Sequence, residues 1–350
     1  MKVAIAMLCV LLAAAGTAEK VKVVDCARDP ALDEWAASDA KFACAVMEDV
    51  FKAAGIEPVR VPYRPDGMSD STNADVVCSA FRTKRLLQDY DYPLQPLGRM
   101  HFALYAMPAR ASKMMSVKIT DWPQMRVGYS PVSQGQGRDR ERYFEHAMLN
   151  PEYVEYNTSA GAVEALRNGK IDVLFLYTSE GKRPEGLVEI VPIGSRNVYF
   201  AVRKGRPELL KKLTDAYREC YIDNVVKYDR LRKELLGVAT PPNRVRVAAY
   251  RRGRLFDVTP DGERSGVIED WLNAIGASAH WSFDYVYGNY DESLRDVTSG
   301  RLDLVGGSGS PPAGETSSST PIRPSACCAF SSGRVPTTVS GRATRPRGAA

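Results

Sequence analysis

At 350 residues the chain is longer than one hydrophobic core usually organises, so two domains are expected. Hydrophobic (44%) and charged (25%) fractions are ordinary for a folded chain, and the formal charge of +5 is misleading. Five arginines and no acid lie beyond Glu315, so residues 1–315 sum to zero and nothing global argues for a nucleic-acid partner.

Lys2, the apolar run Val3–Ala15 and the small residues Gly16-Thr17-Ala18 read as a signal peptide over residues 1–18, cleaved on export to the periplasm. The run is too short to span a bilayer comfortably, and no later stretch is long and apolar enough to do so. Val21–Ala27 then reads as a strand. Asp39–Ala54 reads as a helix with Phe42, Val46, Val50 and Phe51 at helical spacing, stopped by Gly55. Strands follow at Pro58–Tyr63 and Asp75–Ser79, the latter entering a helix that carries Arg82 and Arg85. Further strands are expected at His101–Met107, Met125–Tyr129, Tyr153–Tyr156, Ile171–Leu176 and Val198–Arg203. Helices are expected at Gln134–Ala147 and Ser159–Asn168, and a long amphipathic one at Glu208–Tyr228. Such alternation argues for parallel α/β sheets.

A phrase then recurs. Leu166–Leu174 reads LRNGKIDVL and Val297–Val305 reads VTSGRLDLV, with a degenerate version, NADVV, at Asn73–Val77. Each full copy says helix, glycine stop, buried strand, because glycine leaves a helix through the left-handed region without a Cβ clash. After Pro241-Pro242-Asn243 the pattern restarts: strand Val245–Tyr250, helix Val267–Ile275, strand Ser282–Val286, helix Glu292–Thr298, strand Leu302–Val305. It retraces the first half of the first unit and stops. Residues 308–350 turn into Gly, Ser, Pro, Thr and Arg, too apolar-poor to fold. They read as a frameshifted or truncated frame, with a native disordered tail as the alternative.

Cys9 leaves with the signal and Cys327-Cys328 lie in the tail. Cys26, Cys44, Cys78 and Cys220 allow three full pairings in an oxidising compartment, or stay as buried thiols. There is no C-x-x-C, and His101, His146 and His280 are scattered. No metal and no cofactor is expected.

The order of D-V-V-C-S-A-F-R-T-K-R-L-L-Q-D-Y-D-Y-P (Asp75–Pro93), R-V-G-Y-S (Arg126–Ser130), Y-N-T-S-A-G-A-V-E-A-L-R-N-G-K-I-D-V-L-F-L (Tyr156–Leu176) and V-Y-F-A-V-R-K-G-R-P-E-L-L (Val198–Leu210) resembles bacterial solute-binding protein family 3. The resemblance implies a two-lobed, type II periplasmic-binding (Venus-flytrap) α/β fold. One complete unit would span 19–238, followed by the truncated first lobe of a second over 243–307. Tandem units are similar to the ectodomains of sensor histidine kinases and diguanylate cyclases. The expected role is non-enzymatic binding of a small molecule, in the sensor portion of a truncated signalling receptor. The partner would be a membrane-bound signalling module. The alternatives are the substrate-binding component of an amino-acid-type ABC transporter and an enzyme on the same fold, of lytic transglycosylase or cyclodeaminase type.

In the family an arginine after the third strand clamps the ligand carboxylate. Arg85 matches that position, with Ser79 and Arg82 beside it. A planar guanidinium suits a carboxylate. Ser133 and Gln134 stand where the second lobe would offer a helix N-terminus. The slot that holds an acid for the ligand ammonium falls on Leu176 or Tyr177, so a carboxylate lacking an amino group is the expected ligand class. Trp35, Tyr63 and Tyr177 are the candidate aromatics at the cleft mouth. Asp172 precedes the core run and reads as structural.

Overall fold

The computed structural model describes residues 18–24, 34–61, 74–118, 122, 124–130, 136–179, 184–259, 263–306 and 329–330. The chain divides into two compact units, the first formed mainly by residues up to Thr240 and the second mainly by those from Pro241.

Unit one contains β1 (Glu19–Val24), α1 (Glu34–Ala53), β2 (Ile56–Val61), β3 (Val76–Ala80), α2 (Leu86–Asp89), β4 (Tyr90–Asp91), β5 (Gly98–Ala106) and α3 (Pro108–Met115). It continues with β6 (Arg126–Tyr129), α4 (Gln136–His146), β7 (Glu152–Glu155), α5 (Ser159–Arg167), β8 (Val173–Ser179) and β9 (Val188–Arg203). It ends on α6 (Pro207–Asp223), α7 (Val225–Leu231) and a π-helical turn over Arg232–Leu236. The strands form one sheet in the order β2-β1-β3-β9-β5-β8-β6-β7, with β4 beside β9. Two parallel blocks, β2-β1-β3 and β8-β6-β7, flank the antiparallel pair β5 and β9. Sixteen-residue β9 is shared. Its first part pairs with β5, and its last residues pair with β3 and β4. The sheet is therefore mixed rather than purely parallel.

β8 is buried on both faces, as its aliphatic run requires. In β8, Val173, Phe175 and Tyr177 enter one core with Phe102, Trp122, Val127 and Phe144, while Leu174 and Leu176 enter another under α5 with Ala162, Ala165 and Leu166. The period of two explains this split.

Unit two contains β10 (Arg244–Ala249), β11 (Asp257–Val258), β12 (Arg264–Ser265), α8 (Val267–Ala279), β13 (Ser282–Tyr287), α9 (Tyr290–Thr298) and β14 (Leu304–Val305). β10 lies parallel between β13 and β14. Within the segment read as unfoldable, Ala329–Phe330 forms β15, antiparallel to β14. The rest of 307–350 lies outside the described residues.

The recurring phrase has a shared physical cause. The Asp75, Asp172 and Asp303 carboxylates accept the backbone N–H of Lys22, Arg126 and Arg246 at 2.9, 2.8 and 2.8 Å. Each aspartate N–H returns a bond to the carbonyl of that same residue, at 2.8, 2.9 and 3.0 Å. The residues that follow then pair in one register: Val23 with Val76, Val127 with Val173, Val247 with Leu304. The aspartate thus sets the entry of a third strand beside a first, three times. Before the two full copies the helix ends the same way. Gly169 (φ +70°) and Gly300 (φ +76°) take the left-handed conformation. Gly169 N–H bonds to Leu166 O and Lys170 N–H to Ala165 O, and the same double closure joins Gly300 to Val297 and Arg301 to Asp296.

Several boundaries differ from the expectations. Arg82 and Arg85 precede a helix of four residues rather than riding on one. Proline at the start of α3 opens a helix the apolar pattern did not reveal. The long C-terminal helix breaks at Asn224, whose φ of −107° leaves the helical region.

Candidate ligand-binding site

The ends of β3 and β8 are brought together by α1. This helix packs on β2 and β3 and also on β8. Its Asp39 accepts a hydrogen bond from Ser179 Oγ at 2.6 Å, both residues being buried. Asp39 was expected to open the helix. The helix instead begins at Glu34, which places Asp39 in its second turn, facing inward. A buried carboxylate is tolerated only when it is bonded, and Ser179 supplies the bond across the two blocks. Sequence reasoning missed this pair. An aspartate among Ala40, Ala43 and Ala45, on a helix otherwise patterned for burial, is the signal that was available.

The segment after β3 carries the cationic groups. Arg82 Nη2 donates to Pro93 O. Its guanidinium lies 4.1 Å from the Tyr199 ring centroid and 5.6 Å from that of Tyr92. Stacking of this kind holds a planar cation in place. Tyr92 O–H donates to Phe81 O at 3.1 Å, and burial pushes its phenol well up, with Arg82 pulling partly back. Ser79 is half-buried in β3. Arg85 is exposed, with φ −66° and ψ −52°, immediately before α2. Phe81 packs against the core that holds Tyr177, so the arginine-bearing segment and the end of β8 share one neighbourhood.

Tyr177 itself is buried, with its ring 5.1 Å from Phe102 and 5.4 Å from Phe175. It is a member of the core, packed among rings rather than standing at a mouth. Trp35 lies on the first turn of α1. Tyr63, Ser133 and Gln134 lie outside the described residues.

A second cluster stands at the ends of β6 and β7, beside α4. Arg140 is buried, with its guanidinium 3.6 Å from the Tyr129 centroid and 4.4 Å from that of Tyr153. Tyr129 O–H donates to Glu155 Oε2 at 2.8 Å. Burial, then the Glu155 bond, pushes the Tyr129 phenol up, against the pull of Arg140. Away from both clusters, Asp172 accepts from Arg126 Nε at 3.2 Å and from Nη2 at 3.1 Å, with Arg110 Nη1 3.0 Å away. Burial alone would raise its carboxyl, but the bonds from Arg126 and the charge of Arg110 hold it below its ordinary 3.8. Its place is structural.

Cys44, Cys78 and Cys220 are buried, and Cys26 lies outside the described residues. Among the described residues no group of three or more His, Cys, Asp and Glu side chains is placed to hold a metal. No described helix is long and apolar enough to cross a membrane.

No protein-family model matches the sequence, and no curated protein matches it. Solved structures do. An amino acid ABC transporter substrate-binding protein from Streptococcus pneumoniae, bound to L-arginine, is 15% identical, with 62% of this chain and 94% of that one covered and a TM-score of 0.45. A probable amino-acid ABC transporter extracellular-binding protein from Bacillus subtilis is 13% identical, with 63% and 99% covered and a TM-score of 0.48. A histidine kinase sensor domain with similarity to periplasmic binding proteins is 16% identical, with 64% and 99% covered and a TM-score of 0.45. At these identities and scores no residue role passes from them to this chain. The functional reading rests on the chain's own strand order and side chains.

Proposed function

We propose that unit one binds a small solute between the two parallel blocks of its sheet and closes on it. In this reading the chain is the exported, periplasmic sensor portion of a membrane-bound signalling receptor, and it is not an enzyme. The observation that carries the proposal is the sheet itself. Two parallel three-stranded blocks, joined through the antiparallel strands β5 and β9, bring the ends of β3 and β8 to one helix. Ligands of open α/β sheets sit outside the carboxyl ends of the strands, where polar backbone and loop side chains converge.

Arg85 is the proposed carboxylate partner. It is exposed and adjacent to the site, whereas Arg82 is committed to Tyr199, Tyr92 and Pro93. Ser79, Ser133 and Gln134 would add polar contacts. Trp35 and Tyr63 would supply an aromatic face, and Tyr177 a packed floor. No acid stands at Tyr177, so the ligand is a carboxylate without an α-ammonium. The sensor reading is favoured over transport because unit two repeats the opening strands and register of unit one, whereas a transport protein needs one unit.

Calorimetry on wild type and Arg85→Ala, with paired α-amino and des-amino carboxylates, tests the proposal. Removing a charge-assisted pair should weaken binding by roughly 2–4 kcal/mol, on the order of 30-fold to 1000-fold. The des-amino ligand should bind more tightly. Unchanged affinity in the variant, or preference for the amino acid, contradicts the assignment.

A further inference from the structure

Helices α1 and α8 occupy the same place in their units, and the strands that follow them match residue by residue. Both helices end in a left-handed residue shortly before the next strand, Gly55 (φ +62°) and His280 (φ +55°). In the strands, Val23 is paired with Arg60 in unit one and Val247 with Tyr285 in unit two. Val23 and Val247 correspond, because each also pairs with the residue that follows its entry aspartate, Val76 or Leu304. On one stripe of the helices the surroundings differ: Phe42, Val46 and Val50 are 3%, 2% and 0% exposed, and their counterparts Val267, Trp271 and Ile275 are 46%, 50% and 39% exposed.

On the side of each helix that meets the following strand, the residues themselves differ. Glu48, Phe51 and Lys52 of α1 correspond to Asn273, Gly276 and Ala277 of α8. Ile56, Pro58 and Arg60 of β2 correspond to Trp281, Phe283 and Tyr285. In unit one this place is filled. Arg60 forms an ion pair with Glu48, and the Phe51 side chain is buried. In unit two the same place is a cavity of about 250 Å³, lined by the six counterparts and by Arg264. Each helix residue has become smaller or lost its charge, and each strand residue has become an aromatic ring.

The lining has a consistent chemistry. Trp281, Phe283 and Tyr285 alternate along the chain and so share one face. The Phe283 ring lies 6.4 Å from Trp281 at 83° and 6.5 Å from Tyr285 at 63°. Gly276 permits this approach, since a Cβ there would meet both the Phe283 ring and Trp281 O at 3.0 Å. Arg264 closes one end, with its guanidinium 4.1 Å from the Tyr285 centroid. Its Nε donates to buried Glu269 at 3.1 Å, so its charge is met within the unit and the cavity favours an uncharged occupant. Exposed Asn273 brings a neutral amide to the rim.

We propose that this cavity binds a small uncharged molecule with a single aromatic ring and a carbonyl-type acceptor. The ring lies against Trp281 and Phe283, and the acceptor faces Asn273. A cavity of roughly 150 Å³ already admits benzene, whereas drug-sized ligands take about 300 Å³ or more, so one ring with a short substituent fits. Offset or edge-on contacts with the lining rings would favour it over a saturated ring of the same size. Phe51 supplies an aromatic ring from the chain at this place in unit one; in unit two the ligand supplies it.

The test uses the full chain and para-fluorobenzamide, followed by fluorine nuclear magnetic resonance. A saturable change in the fluorine line is expected. Benzamide should reverse it, and cyclohexanecarboxamide, which keeps the amide and loses the flat ring, should not. Ala277→Trp fills the cavity from an exposed helix position, and Trp281→Ala removes a wall. Each should weaken binding by about tenfold or more with unchanged circular dichroism, whereas Arg85→Ala should bind as wild type does. No saturable change, equal competition by the two carboxamides, or wild-type affinity in both cavity variants overturns the proposal. Weakened binding in Arg85→Ala gives the probe to unit one and also overturns it. The competition needs no variant, so a misfolded variant leaves the proposal open to refutation.

Discussion

α1 and α8 start from one plan and end in different surroundings. Each follows a first strand, ends in a left-handed residue and leads to a second strand parallel to the first. The aspartate latches show that this plan is local: Asp75, Asp172 and Asp303 make the same bonds whichever unit holds them. The stripes on the helices show what is not local. Phe42, Val46 and Val50 are buried on a helix against which α6 and the π-helical turn, more than 150 residues further on, return to pack. A βαβ unit can therefore be complete in its hydrogen bonds and incomplete in its burial.

Truncating the covered stripe should have the largest effect. Phe42→Ala is expected to cost about 3–5 kcal/mol in urea unfolding, and Val267→Ala no more than about 0.5 kcal/mol. Equal costs at the two positions would break the comparison. The latches sharpen it next. Asp172 and Asp303 each accept three bonds from one arginine, but those from the Arg246 side chain to Asp303 are longer, at 3.3 and 3.4 Å, and among the described residues Asp172 also has the charge of Arg110. Asp172→Ala should cost about 3 kcal/mol and Asp303→Ala about 1–2 kcal/mol.

Acid sharpens the same pair. The Asp172 carboxyl titrates below its ordinary 3.8 in the folded chain, so its stabilisation is fully present above that pH. It is lost as pH falls through the lower, folded value. Unfolding midpoints of wild type and Asp172→Ala should converge as the pH drops below about 4, and a constant gap would contradict the latch. Smallest is the helix stop. Gly169→Ala and Gly300→Ala should each cost about 1 kcal/mol, because both must hold a Cβ at positive φ. A Cβ there meets no atom within 4 Å, so the cost is conformational and should match in the two units.

Much of this was legible in the sequence. The glycine, basic residue, aliphatic, aspartate phrase located the third strand of each full repeat, and NADVV located the third latch. What escaped was non-local. The first ten residues of β9, VEIVPIGSRN, contain proline and glycine and carry no strand alternation. They are strand because β5 supplies the partner. The helix was expected to start at Asp39, and the bond of Asp39 to Ser179, 140 positions away, has no local signature. Tyr177 was set at a cleft mouth by counting along the chain, whereas the fold packs its ring between Phe102 and Phe175. Local phrases encode turns and strand entries; the partners that bury a face are encoded elsewhere in the chain.

The central claim is that the two parallel blocks of unit one close on a solute. Nitroxide labels at Glu57 in β2 and Glu152 in β7, exposed positions on the outermost strand of each block, report this directly by pulsed electron resonance. A des-amino carboxylate that binds by calorimetry should shift a broad distribution of label separations to one shorter, narrower population, and Arg85→Ala should abolish the shift. A bound ligand that leaves the distribution unchanged would contradict closure.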